Sequence, residues 1–197
     1  AYECSVQAAK VIRDAAIAAG APDNCIQWLG MRSMYATNAL MNHSGVATIL
    51  ATGGNAMVKA AYSCGKPALG VGAGNVPAYV EKSCVLKRAV NDIVLSKSFD
   101  NGMICASEQA AIVDQEIYDA FKVEMSRFKV YFANHEEKAK LETYMFGCTA
   151  YSDKVNEARL NPAIVGKPAT WIAEQAGFVV PDDTQIICAE CEEVGPN

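Results

Sequence analysis

The feature that most constrains this chain is its alternation of short, unbroken apolar runs with longer amphipathic stretches, punctuated by glycine. Val46 to Ala51 is continuously apolar and bounded by Gly45 and Gly53-Gly54, the pattern of a strand buried on both faces. Ala68 to Val71 repeats that texture. Between them, Ala56 to Cys64 carries a helical pattern. Earlier, residues 5–19 put Val6, Ala9, Ile12, Ala16 and Ala19 on one helical face, which Gly20-Ala21-Pro22 ends. Ile26 to Leu29 predicts a further strand and Met34 to Met41 a short helix. Helix and strand in strict turn is the rhythm of an α/β fold with a parallel sheet.

The texture changes after the glycine cluster at residues 70–74, which predicts a domain boundary there. Val76 to Val80 reads as a strand, with Pro77 at an edge or first position. Leu86, Ala89, Val90, Ile93 and Val94 share one helical face. Phe99-Asp100-Asn101-Gly102 is a turn signal, and Ala110 to Val113 a strand. Asp114 is the expected N-cap of a helix carrying Ile117, Phe121, Met125 and Phe128. Residues 129–160 are more polar, with a helix expected near 136–145. Ile164-Val165, Thr170 to Gln175 and Gln185 to Ala189 predict strand, helix, strand.

Composition narrows the function classes. With 197 residues, 51% hydrophobic and 20% charged, the chain is long enough for a real core and is not disordered. Its 17 basic and 22 acidic residues give a formal charge of −5 with no dense Lys/Arg cluster, which argues against a nucleic-acid partner. No run of 18 apolar residues exists, so no membrane span is expected. Ala1-Tyr2-Glu3-Cys4 has neither the basic nor the apolar region of a signal peptide. The eight cysteines are therefore expected to be reduced, cytoplasmic thiols. A chain running from Ala1 to Asn197 in this way reads as a piece of something longer. Cys188-Ala-Glu-Cys191 is a single CxxC beside a predicted strand, with no second ligand pair, so no metal site is expected.

Three segments could carry chemistry. Gly70-Val-Gly72-Ala-Gly74 falls short of the dinucleotide fingerprint, because the third glycine comes one residue early and Pro77 follows. A glycine-rich crossing of closely packed backbones is the better physical reading. Thr52-Gly53-Gly54-Asn55 lies between a strand and a helix, where backbone N–H groups can meet a phosphate; a simple tight turn fits equally well. Cys105 follows a turn and has small neighbours, yet a nucleophilic thiol needs an electropositive setting that the sequence does not display. The residues alone favour a buried small hydrophobe there. His43 reads as a loop or capping residue and His135 as a solvated helix start, while Glu136, Glu137, Lys138 and Lys140 read as a solvated face.

Phe99-Asp-Asn-Gly-Met-Ile-Cys105-Ala-Ser-Glu-Gln109 closely resembles the catalytic-cysteine segment of CoA-acylating aldehyde dehydrogenases. The similarity is closest to the N-terminal half of bifunctional aldehyde-alcohol dehydrogenases. Ile49-Leu-Ala-Thr-Gly-Gly54, Met57-Val-Lys-Ala-Ala-Tyr62 and Gly65-Lys-Pro-Ala-Leu-Gly-Val-Gly-Ala-Gly-Asn75 extend it. So do Ala15-Ala-Ile-Ala-Ala-Gly-Ala-Pro22 and Asn161-Pro-Ala-Ile-Val-Gly166, so that it covers nearly the whole chain.

The resemblance implies an aldehyde-dehydrogenase-like three-layer α/β architecture with mainly parallel sheets, present as a truncated fragment. Residues 1–74 would be the C-terminal part of an NAD-binding domain, and residues 75–197 the N-terminal part of the catalytic domain. Cys105 would be the nucleophile, and Thr52, Gly53, Gly54 and Gly72 would line the NAD site. An aldehyde, in the first instance acetaldehyde, would become acyl-CoA reversibly through a Cys105 thioester, with coenzyme A as co-substrate. Iron would belong only to the absent alcohol dehydrogenase half, and the parent would be a cytoplasmic homo-oligomer.

Parts that grip the adenosine and the nicotinamide ribose would be missing, which predicts weak NAD binding and no aldehyde oxidation by this chain alone. In hydrolytic relatives a glutamate opens the motif aligned with residues 70–74; Gly70 stands here, which implies release of acyl-CoA rather than free acid. The alternatives are a hydrolytic aldehyde dehydrogenase and a non-catalytic assembly or regulatory module.

Overall fold

The computed structural model describes residues 2–72 and 74–191. The chain divides into two compact units, Ala1–Ala73 and Gly74–Asn197.

The first unit runs α1 (Tyr2–Ala18), α2 (Met34–Asn42), β1 (Ile49–Thr52), α3 (Asn55–Ser63) and β2 (Ala68–Val71). Ser33 caps α2 by accepting from the Ala36 N–H. β1 and β2 are parallel, with Ile49 opposite Ala68 and Thr52 opposite Val71; α3 is the crossover that parallel neighbours need. Met41, Ile49, Ala51 and Ala61 form the buried centre of the unit. The strand expected to be buried on both faces is buried on one: Leu50 is 78% exposed. No described strand occupies residues 26–29. The Leu29 carbonyl instead accepts from Tyr2 Oη, and Arg13 stacks over Trp28, so side chains of α1 hold this segment in place of a strand ladder.

The second unit contains β3 (Val76–Val80), α4 (Leu86–Ser98), β4 (Glu108–Val113), α5 (Tyr118–Arg127), β5 (Val130–Ala133), α6 (His135–Phe146), α7 (Ala169–Ala176) and β6 (Ile186–Ala189). β3 pairs with β4 and β5 with β6, both in parallel, with an irregularity at Val76/Pro77 where proline cannot donate to the ladder. Val80, Val90, Val94, Phe121, Met125 and Val130 form one core cluster, and Leu141, Ala173, Phe178 and Val180 another.

Several expectations change here. β5 lies in the stretch read only as polar; unlike the equally short β1 and β2 it has no glycine near its ends, only Lys129 and Asn134. Ile164 belongs to a 3₁₀ turn, Pro162–Ile164, whose Asn161 side chain accepts from the Ala163 N–H, and not to a strand. Asp114 stands at the N-cap position of the 3₁₀ turn Gln115–Ile117 that leads into α5, but its side chain does not cap that turn. Its carboxylate accepts from Tyr79 Oη at 2.7 Å and the Lys82 N–H at 2.9 Å, and these bonds hold its pKa below the usual carboxylate value. Glu137 is not merely a solvated residue: with Asn134 it forms the capping box of α6, and it accepts from Tyr131 Oη. Cys188 packs into the core, and burial pushes its thiol up to about 11. No described helix is long and apolar enough to cross a membrane.

Candidate active site

Cys105 sits in the connection from α4 to β4, and local conformation decides where it points. Asp100, Asn101 and Gly102 follow one another with φ of 50°, 51° and 72°, a left-handed run that turns the chain sharply after α4. Asparagine, aspartate and glycine are the residues that tolerate this region. Asn101 Nδ2 donates to the Gly166 carbonyl at 3.0 Å. Gly166 is itself left-handed, with φ 72°, which favours glycine, and a Cβ there would lie 2.7 Å from Met103 Sδ and displace that side chain. Beyond the cysteine, Ser107 is fully buried, and its N–H and hydroxyl both donate to the Ile104 carbonyl, at 3.3 and 3.0 Å.

The result is a tight turn over residues 104–107 with the thiol on its outside. Cys105 is exposed, which overturns the buried-hydrophobe reading of the sequence. Among the described residues the N–H groups of Ile104, Cys105 and Ala106 have no acceptor. A thiol flanked by free backbone donors can add to a carbonyl and stabilise the oxyanion that forms.

The first unit brings Thr52, Gly53, Gly54 and Gly72 together at the carboxyl end of its strands. Thr52 ends β1, Gly72 follows β2, and the Gly53 N–H donates to the Val71 carbonyl at 3.0 Å. Gly54 is the N-cap of α3 with no side-chain cap, and a Cβ there would meet nothing within 4 Å. The uncapped first turn of α3 therefore offers its N–H groups to an anion. Gly70 has a different role. A Cβ there would lie 2.5 Å from Val58 Cγ1 and 2.8 Å from the Tyr62 ring, and its N–H donates to Tyr62 Oη. It is a packing glycine, as the close-crossing reading of the cluster predicts, and a glutamate at this position would collide with α3.

Residues 3–137 match the aldehyde dehydrogenase family. The chain belongs to that family. It is 68% identical over 197 residues to aldehyde-alcohol dehydrogenase 2 of Entamoeba histolytica, which covers all of this chain and 23% of the relative. An acetylating aldehyde dehydrogenase from Geobacillus thermoglucosidasius shares its fold with a TM-score of 0.85 at 44% identity, over 98% of this chain and 41% of that one. A Rhodopseudomonas palustris propionaldehyde dehydrogenase, with bound CoA and an acylated cysteine, aligns with a TM-score of 0.78 at 32% identity, over 94% of this chain and 40% of that one. The chain thus spans less than a quarter of the E. histolytica relative's length. The fold is the aldehyde-dehydrogenase-like α/β architecture that the sequence motifs imply.

Sequence reasoning missed the residues that hold the cysteine turn. Ser107 and Gly166 lie within recognised motifs, but nothing in the spacing says that one is buried beneath the turn or that the other reaches Asn101. His43, at the end of α2, accepts the Gly45 N–H on Nδ1 and serves the local turn.

Proposed function

We propose that this chain supplies the nucleophile and part of the NAD site of a reversible, CoA-acylating aldehyde dehydrogenase of its relatives' length. The carrying observation is the exposed Cys105 thiol in a turn whose neighbouring N–H groups have no acceptor among the described residues. The acylated cysteine and bound CoA of the propionaldehyde dehydrogenase support the same reading.

The Cys105 thiolate adds to the aldehyde carbon, forming a carbon–sulfur bond and placing a negative charge on oxygen. The N–H groups around Cys105 are suited to hold that oxyanion. Loss of hydride from the same carbon leaves the acyl group on sulfur as a thioester. The coenzyme A thiolate then attacks the thioester carbonyl, and Cys105 departs as thiolate. Each step runs backwards from acyl-CoA to aldehyde.

Thr52, Gly53, Gly54 and Gly72 would hold NAD, with its phosphates at the uncapped N-terminus of α3; the open space at Gly54 and the absence of a capping side chain fit such a group. When bound, the nicotinamide supplies the hydride acceptor. Residues 1–74 are then the cofactor-binding part and residues 75–197 the thiol-bearing part. Gly70 offers no base to activate water, and general-base assistance is worth about 10²–10⁴-fold, so thioester transfer to a thiol outruns hydrolysis.

Product analysis tests this in a protein of the relatives' length carrying this segment. The expected product from aldehyde is acyl-CoA, strictly dependent on coenzyme A, and Cys105→Ala abolishes both directions. Free acid formed at equal rates with and without coenzyme A overturns the assignment in favour of a hydrolytic enzyme.

A further inference from the structure

We propose that Lys97 is a positioning residue for Cys105, closing the loop that carries the thiol; this rests on the reading of Cys105 as nucleophile. Lys97 lies in the last turn of α4, and its ammonium donates to Gln109 Oε1 at 2.8 Å. Gln109 is in β4, so one side-chain bond joins the two ends of a loop that has Cys105 inside it. The same side chain runs beneath the left-handed arch. A Cβ added at Gly102 would lie 3.4 Å from both Lys97 Nζ and the Lys97 carbonyl oxygen, so the arch rests in van der Waals contact with Lys97, while its φ of 72° is what favours glycine there.

Lysine is suited to this place for a second reason. Glu108, at the start of β4, has a buried Oε2 with no hydrogen-bond partner among the described residues, and the Lys97 charge acts on that carboxylate. The ammonium therefore serves as a hydrogen-bond donor to Gln109 in β4 and feels the charge of the adjacent Glu108 without an ion pair to it. Its stem lines an apolar cavity of about 470 Å³ with Met103, Met145 and Ile164, and partial burial lowers its pKa from the usual lysine value. The loop is thus fixed at four points around the thiol: Lys97 to Gln109, Lys97 under Gly102, Asn101 to Gly166, and Ser107 to Ile104. Lys97 alone contributes to two of them. Fixing the turn holds the free N–H groups near the sulfur and so sustains its reactivity.

Alkylation of the 197-residue chain by iodoacetamide, quantified for each cysteine by peptide mass spectrometry, tests this, with exposed Cys4 and Cys25 as references in the same tube. A held, activated Cys105 is expected to label at least about tenfold faster than Cys4 and Cys25. Lys97→Met and Gln109→Leu should each remove most of that advantage, about tenfold, whereas Lys97→Arg, which keeps charge and donor, should stay within about twofold of wild type. A wild-type Cys105 rate in Lys97→Met overturns the positioning role. Should Lys97→Met lose its far-UV circular dichroism, Gln109→Leu decides, and a wild-type rate there overturns it equally. A wild-type Cys105 no faster than Cys4 and Cys25 refutes the nucleophile reading itself.

Discussion

The two units solve different problems with different amounts of structure. The first builds its glycine turns from one pair of strands and one crossover helix, over a core in which Ala51 and Ala61 stand beside Met41 and Ile49. The other face of that sheet is bare, with Leu50 and Leu69 exposed. The second unit surrounds its strands with large apolar residues, Val90, Val94, Phe121 and Met125 among them, and braces the Cys105 turn by side-chain bonds from distant segments. A site made of backbone N–H groups needs only the end of a strand and the start of a helix. A reactive side chain needs its loop held from several sides, and that takes a larger core.

The strongest way to break this contrast is amide hydrogen exchange. Amides of β1 and β2 should exchange about a hundredfold or more faster than those of α4 around Val90 and Val94, since thin, half-exposed elements open at lower free energy. Equal protection in residues 2–72 and 74–191 would remove the distinction.

Two glycine substitutions sharpen it within the first unit. Gly70→Ala should cost about 1–3 kcal/mol by overpacking against Val58 and Tyr62. Gly54→Ala meets open space and loses only the N-cap preference for glycine over alanine, so thermal melts should show a loss below about 1 kcal/mol. Similar losses at both positions would contradict the division into a packing glycine and a site glycine.

The smallest effect is electrostatic and belongs to the second unit. The Asp114 carboxyl is held below its ordinary 3.8, first by Tyr79 Oη and then by the Lys82 N–H. A depressed folded pKa stabilises above the unfolded value and loses that contribution as pH falls through the folded one. Acid unfolding of the second unit should therefore be less steep below about pH 4 in Asp114→Asn than in wild type. An unchanged acid limb would show that these bonds do not survive in solution.

Much of this was legible in the sequence, and the exceptions share a cause. Helices α1 to α7 and strands β1 to β4 and β6 are long enough, or bounded clearly enough by glycine and proline, for periodicity to reveal them. β5 is four residues in polar surroundings, and its strand character comes from pairing with β6, far along the chain. Ile26 to Leu29 shows the reverse: an apolar run whose backbone is taken up by Tyr2 instead of a neighbouring strand. The candidate site divides in the same way. Motifs picked out Cys105 and the Thr52-Gly53-Gly54 turn, but exposure of the thiol, the burial of Ser107 and the Lys97 bridge are tertiary facts that no local pattern carries.

The central claim is that Cys105 carries the acyl group. Its most direct test is acyl exchange: a protein of the relatives' length is incubated with acetyl-CoA and no nicotinamide cofactor, and each cysteine peptide is weighed. One acetyl group should appear on Cys105, disappear on adding excess coenzyme A, and be absent in Cys105→Ala. Acetylation of a different cysteine, or persistence of exchange in Cys105→Ala, would contradict the account.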